Sequence, residues 1–149
     1  MRAVVQRVKS ASVVIDSKTT AQIDKGLLVL LGVEEVDTQE DIDWLVRKII
    51  NMRIFHDRED KMNLSLLDVE GSLLIVSQFT LHASTKKGNR PSFTRAAHPE
   101  KALPLYEEFV AQCRKEVSIV QTGEFGADMK VTLLNDGPVT IIMDSMDKQ

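Results

Sequence analysis

The sequence predicts a single α+β domain spanning residues 1–149, with a largely antiparallel sheet and two main helices. Three observations carry this reading. Short runs rich in Val and Ile recur along the whole chain, while apolar residues return at helical spacing in only two segments. No linker, internal repeat or shift in composition divides the chain. A chain of this length can bury a core of its own.

Ala3–Val8 and Ala11–Ile15 are β-branched runs, and Lys9-Ser10 between them reads as the turn of a hairpin. Gly26–Val33 is apolar nearly throughout, the pattern of a central strand covered on both faces. Asp37 followed by Glu40 supplies a helix start, since Asp accepts from exposed amides and Glu reaches back. Ile42, Leu45, Val46 and Ile49 then recur on one face, which predicts an amphipathic helix over Asp37–Met52. His56–Met62 is charged and loop-like. Ser72–Leu81 is a second strongly apolar strand, and Ala83–Ser92 is a polar loop containing Gly and Pro. The second helix covers Pro99–Lys115, with Leu105, Phe109 and Cys113 on one face. Pro104 either kinks it or marks its true start, because a proline inside a helix loses a backbone bond and clashes with the preceding turn. Ser118–Gln121, Met129–Leu134 and Val139–Met143 complete the set as strands.

Hydrophobic residues make up 43% and charged residues 28% of the chain, which points away from disorder and from a membrane. Its start, Met1-Arg2-Ala3-Val4-Val5-Gln6-Arg7, lacks the long apolar stretch of a signal peptide. A lone cysteine has no internal disulfide partner, so a reducing cytoplasm is the expected location. The net charge of −3 is a poor footprint for a nucleic-acid partner. The local distribution differs, because Lys86, Lys87, Arg90 and Arg95 fall within ten residues that hold no carboxylate. Such a run is either solvated surface or a phosphate contact.

The usual hydrolytic centres are missing. Cys113 lies on the apolar face of its helix and reads as packing. His56, His82 and His98 share no metal-ligand spacing, and His98 precedes Pro99 as a helix-capping residue would. Neither a Gly-x-Ser-x-Gly elbow nor a Walker loop is present, so no metal or other cofactor is expected.

Three segments remain unusual. In Ser77-Gln78-Phe79-Thr80-Leu81 an apolar strand acquires three hydrogen-bonding side chains at its end. These either bond local backbone or face a ligand, because each buried unpaired costs about 1–3 kcal/mol. Thr80 and His82 would share a face of a continuing strand, but a spacing of about 6–7 Å is too long for a nucleophile and its base. Asn135-Asp136-Gly137-Pro138-Val139-Thr140 carries the Asp-Gly signal of a tight turn, made rigid by the following proline. It is either that turn or a rigid backbone feature presented to a ligand. In Gly123-Glu124-Phe125-Gly126 the aromatic could stack on a base or tuck into the core.

Taken together, Ser77–Leu81 and Asn135–Thr140 resemble the paired signatures of the D-aminoacyl-tRNA deacylases. The resemblance runs the whole length. It takes in Gln6-Arg7-Val8, Lys61-Met62-Asn63, Gly88-Asn89-Arg90-Pro91-Ser92-Phe93 and Phe125-Gly126-Ala127-Asp128-Met129. One departure is Asp60, where relatives often have Gly. The resemblance implies a β-barrel-like sheet flanked by helices, and a homodimer in which a cis Gly137-Pro138 unit enters the partner's site. It implies a pocket formed by Ser77, Gln78, Phe79 and Thr80, with an aminoacyl-tRNA ester as substrate. The neighbouring ribose hydroxyl would then take part, and no protein nucleophile is required. On this reading Gln78, Phe79 and Thr80 carry catalysis, with the Phe79 and Thr80 amides as oxyanion donors. Ser77, Gly137, Pro138, Phe125 and Met129 bind substrate, the last two against the adenine, and Lys86, Lys87 and Arg90 meet acceptor-stem phosphates.

Overall fold

The computed structural model describes residues 1–149. Strand β1 covers Arg2–Ile15 without a break, so Lys9-Ser10 is not the hairpin turn that local sequence suggests. Those two residues mark a change of neighbour instead. On one side, Arg2–Val8 pairs with β3 (Gly26–Gly32) and Ala11–Ile15 pairs with β2 (Lys18–Ile23), both antiparallel. The real hairpin turn is Asp16-Ser17, whose φ angles of 49° and 64° suit a two-residue connection matched to strand twist. Neither residue is a glycine, so β2 escaped the sequence reading.

Parallel to β3 runs β6 (Ser72–Ser77), and parallel to β6 runs β7 (Val120–Thr122). The other edge of β1 carries β8, a 15-residue strand over Lys130–Asp144. Met129–Leu134 and Val139–Met143 are thus two halves of one strand. The sheet curls into a nearly closed barrel in the order β2-β1-β3-β6-β7, and β4 (Phe55–His56) pairs with β5 (Met62–Leu64) beside it. The predicted single α+β domain with a barrel-like sheet and two helices is what the chain forms.

Helix α1 is Gln39–Asn51 and α2 is Pro99–Glu116. The cap of α1 falls one residue later than Asp37. Thr38 and Asp41 form the reciprocal box, with the Thr38 N–H donating to Asp41 at 2.8 Å. Asp37 is buried and serves the loop, accepting the Glu34 N–H at 2.6 Å. Pro99 occupies the first turn of α2, where its missing donor costs nothing, and Pro104 is accommodated inside the helix.

Two cores result. The larger lies between the sheet and both helices and includes Leu27, Val29, Leu31, Ile42, Leu45, Ile49 and Phe109. The smaller fills the inside of the curled sheet with Val8, Val13, Leu28, Leu74 and Val76. Alternate residues of β3 enter each core, which is why its sequence is apolar without alternation. Each such residue contributes on the order of 1.5–3 kcal/mol by burial, so β3 and β6 form a stiff floor on which the residues after them are set.

Candidate active site

Pairing of β6 with β3 ends at Ser77 opposite Leu31, and the Gln78 N–H donates to the Leu31 carbonyl at 2.8 Å. The chain then leaves the sheet as a single 3-10 turn, Phe79–His82, and not as the strand to Leu81 expected from its apolar character. Within it the Leu81 N–H reaches the Gln78 carbonyl at 3.3 Å and the Ala83 N–H the Thr80 carbonyl at 3.1 Å. The Phe79 and Thr80 amides head the turn and have no acceptor inside it. Gln78 Nε2 donates to Thr80 Oγ1, which ties these two side chains together. Phe79 is 54% exposed, and its ring meets Phe93 edge to face at 5.1 Å. Arg2 Nη1 donates to the Leu81 carbonyl at 2.8 Å while its Nε and Nη2 hold Asp144. Partial burial works against ionisation of Asp144, but the Arg2 and Met146 hydrogen bonds outweigh it and hold the carboxyl below its usual range.

No threonine–histidine dyad exists here. His82 is buried with Nδ1 facing Glu34, its Nε2 has no partner, and the Thr80 hydroxyl is engaged by Gln78. Directly after the turn, reciprocal bonds between Ser84 and Ser92 at 2.8 and 3.0 Å close a loop. Lys86, Lys87 and Arg90 are exposed on it. The fourth cation of that run, Arg95, pairs instead with Glu34 at 2.7 Å.

Residues 123–129 come to the same end of the sheet, because β7 is parallel to β6 with Thr122 opposite Ile75. The Gly123 N–H donates to the Ile75 carbonyl at 3.0 Å. Phe125 is half-buried, packed on the larger core with its ring 5.9 Å from Tyr106, while Met129 packs on the smaller core. Each keeps part of its surface open at this end of the sheet.

Gly137 and Pro138 lie elsewhere. Along β8 the register passes from Thr140 opposite Gln6 to Asn135 opposite Val8, so four residues, Asp136–Val139, face the single Arg7. The tight turn anticipated at Asp-Gly is thus a bulge inside a continuous strand. Asn135 holds it closed, accepting the Val139 N–H at 2.8 Å and donating to the Val139 carbonyl at 3.1 Å. From below, Arg7 Nε donates to the Asp136 carbonyl at 2.7 Å and Nη1 to the Ile54 carbonyl. Arg7 is only 4% exposed, and a buried arginine in the middle of an apolar strand was the available signal for this clamp. The Gly137–Pro138 bond is cis, and both residues are exposed. Ser77 is level with Leu31 and Ala3, whereas the bulge is level with Arg7. Measured along the sheet they are four residues and three strands apart within one chain, a path of about 20 Å.

On either side of the bulge, β8 has no neighbour on its outer edge and presents Leu134 and Ile142, 56% and 72% exposed. The structure thus sets Ser77, Gln78, Phe79 and Thr80 at the end of β6 and in the turn after it, with residues 123–129 at the same end of the sheet and the basic loop directly after the turn, and holds Gly137-Pro138 apart.

The sequence profile of the D-Tyr-tRNA(Tyr) deacylase family matches residues 4–144. A D-aminoacyl-tRNA deacylase of Flavobacterium johnsoniae is 62% identical over the full length of both chains. One of Bacteroides fragilis is 57% identical, again over all of both. Among solved structures, a c-Myc DNA unwinding element binding protein superposes with a TM-score of 0.92 at 43% identity, covering 97% of this chain and 98% of that one. A probable eukaryotic D-amino acid tRNA deacylase superposes at 0.82 with 19% identity, over 95% and 97%, which shows the shared fold.

Proposed function

The chain belongs to the D-Tyr-tRNA(Tyr) deacylase family, and from that membership we propose that it hydrolyses D-aminoacyl-tRNA as a cytoplasmic homodimer. The observation that carries the reading is the separation just described. A rigid, exposed backbone bulge lies three strands away from its own Ser77–Thr80 turn, about 20 Å along the sheet, on an edge strand whose outer side is unpaired. A symmetric partner can bring the two elements together, because a twofold interface presents each chain's bulge to the other's turn. The exposed apolar side chains of β8 suit such a contact.

In that pocket the Phe79 and Thr80 amides point at the developing oxyanion of the scissile ester. A well-placed donor of this kind is worth ~10²–10³ in rate. An aminoacyl ester is already activated, so positioning and charge stabilisation suffice without a protein nucleophile. Water adds to the carbonyl carbon, the ester carbon–oxygen bond breaks, and the ribose oxygen leaves with a proton relayed by its neighbouring hydroxyl. Gln78 orients the ribose or the water, Ser77 lines the pocket, and Phe125 and Met129 flank the adenine. Lys86, Lys87 and Arg90 reach acceptor-stem phosphates, offsetting the overall acidity of the chain.

Chirality follows from the partner's bulge. The carbonyls around Gly137 and Pro138 hold the α-ammonium group and leave no room on one side of the α-carbon. An L side chain is excluded, a D side chain points outward, and nothing recognises the D side chain itself. Glycine, having no side chain, is then a substrate too. The test is deacylation of glycyl-, D-tyrosyl- and L-tyrosyl-tRNA side by side. Release from the first two but not the third is expected, and a glycyl ester as resistant as the L-tyrosyl one would refute the exclusion mechanism.

A further inference from the structure

Beneath the turn that carries Phe79 and Thr80 lies a buried ionisable pair that the chemistry above leaves unused. Glu34 is 5% and His82 3% exposed. His82 Nδ1 stands 2.9 Å from Glu34 Oε1, and Arg95 Nη2 reaches the same oxygen at 2.7 Å. Three segments meet there. Glu34 follows β3, His82 closes the turn, and Arg95 ends the basic loop next to Ala96, which is bridged to Glu34. The Glu34–His82 contact satisfies the distance of a hydrogen bond but not its direction, and His82 Nε2 has no partner at all. Burying polar atoms in this state is costly, so a packing role alone does not account for them.

The ring is wedged as well as paired. A Cβ at Gly32 would lie 3.0 Å from His82 Cδ2, from His82 Nε2 and from the Gln78 carbonyl oxygen. The bare backbone of β3 is therefore the wall against which both ends of the turn rest. A four-residue 3-10 turn has little stability of its own. Its direction must come from its anchors: the Gln78 N–H on Leu31, Arg2 on the Leu81 carbonyl, and His82 on Glu34.

We propose that Glu34 and His82 are positioning residues of the active site, bracing the Phe79–His82 turn so that the Phe79 and Thr80 amides point into the pocket. Neither touches substrate. Arg95 lies over the Glu34 carboxylate and joins the brace to the loop carrying Lys86, Lys87 and Arg90. The inference rests on the deacylase reading for its kinetic consequence, and on the coordinates alone for its geometric one.

The experiment uses full-length protein carrying His82→Gln, His82→Asn or Glu34→Gln. Readouts are kcat and KM on D-tyrosyl-tRNA, affinity for uncharged tRNA, melting temperature, and the NMR shifts of the Phe79 and Thr80 amides. An asparagine amide can stand where Nδ1 stands and keep the contact with Glu34, whereas a glutamine amide sits near Nε2 and loses it. His82→Gln should lower kcat roughly 100-fold, as a displacement of about 1 Å at reacting groups does, with KM and tRNA affinity within about twofold of wild type. Both amide shifts should move, and His82→Asn should restore most of the shifts and of kcat. Glu34→Gln keeps an acceptor but not the charge, and should lose roughly tenfold in kcat. A His82→Gln protein with kcat within twofold of wild type overturns the proposal. So does a pair of His82 variants in which kcat, tRNA affinity and melting temperature fall together without rescue by Asn. If His82→Gln does not fold, unchanged kcat and amide shifts in Glu34→Gln overturn it equally. Wild-type protein that releases no D-tyrosine would refute the deacylase reading itself, and the amide shifts would still decide the brace.

Discussion

Replacing Gly137 by alanine tests the rigidity of the bulge, and its cost can be worked from the coordinates. Gly137 has φ +144°, a conformation that residues with a side chain rarely adopt. Holding alanine there costs about 1–3 kcal/mol. The new methyl would also lie 2.8 Å from Val139 Cγ2 and 2.9 Å from Arg7 Nη2. The valine methyl can yield by a small rotation, but the guanidinium has little freedom. It is buried and already donates to the Asp136 and Ile54 carbonyls, and losing either bond costs about 1–3 kcal/mol. Backbone strain and one displaced hydrogen bond together come to about 2–6 kcal/mol, and the lower figure sets the smallest effect to look for. Two kcal/mol corresponds to a drop of roughly 4–8 °C in melting temperature for a domain of this size. The same energy applied to the population of correctly closed bulges lowers kcat/KM on D-tyrosyl-tRNA about 30-fold. Thermal melts and single-turnover deacylation of the same preparation measure both, with L-tyrosyl-tRNA run in parallel. Cleavage of the L ester should not appear, because a displaced wall disrupts α-ammonium binding for both enantiomers. A Gly137→Ala protein melting within 1 °C of wild type with activity within twofold would show that the bulge is not held as described.

Thr80→Ala should keep activity within about tenfold, since Gln78 occupies the hydroxyl and the backbone amide survives, whereas tRNA ending in 2′-deoxyadenosine should be cleaved very poorly. Loss of turnover in the variant together with normal cleavage of the deoxy substrate would instead make Thr80 the nucleophile. Neutralising Lys86, Lys87 and Arg90 together should weaken tRNA binding and flatten its salt dependence, each lost phosphate contact removing about 0.7–0.9 from the log–log slope. An unchanged slope would mean that these exposed side chains only meet solvent. Burial pushes the Tyr106 phenol from 10.0 up to about 12 and the Cys113 thiol from 9.0 up to about 12. The folded state therefore holds both protons more tightly than the unfolded chain does. That stability is complete below about pH 9 and is lost as pH rises towards 12. Tyr106→Phe should melt less steeply than wild type across pH 10–12. At neutral pH it should cost about 1 kcal/mol or less, because the Ile75 carbonyl that accepts the phenol at 2.9 Å also accepts the Gly123 N–H. Parallel alkaline melting curves for the two proteins would refute the assignment.

Where a segment's conformation depends on its own residues, the sequence was a good guide. Ile42, Leu45, Val46 and Ile49 are all buried on α1, and the strand expected over Gly26–Val33 forms over Gly26–Gly32, covered on both faces because two cores meet it. Asp60 shows the same locality from another side. It sits at φ +61° in the turn between β4 and β5, the left-handed region that favours glycine and tolerates Asp. Apart from the missed Asp16-Ser17 turn and a one-residue shift in the α1 cap, the errors came where a distant segment decides. Lys9-Ser10 looks like a turn until one sees that β1 exchanges β3 for β2 at that point and has no reason to reverse. Leu81 looks like strand until the β3 partner runs out opposite Ser77.

The same distinction separates the two halves of the candidate site. Ser77–Thr80 was legible because polar side chains closing an apolar strand are a local anomaly, visible without any partner. Asp136–Val139 was legible as rigid but not as a bulge, since its shape is imposed by Arg7, more than a hundred residues earlier, acting through a side chain on the adjacent strand. An Asp-Gly pair free of that arginine would be expected to reverse the chain, and β8 would end at Asn135. With Arg7 in place the backbone is drawn aside and then resumes its pairing to β1 as far as Asp144, so the strand keeps a long unpaired outer edge. Arg7 from β1 and Asn135 within the loop thus hold the projection of Gly137-Pro138 together, one from a distant strand and one locally. The glutamate and histidine under the turn belong to the same class, their meaning fixed by residues 34, 82 and 95 meeting in space.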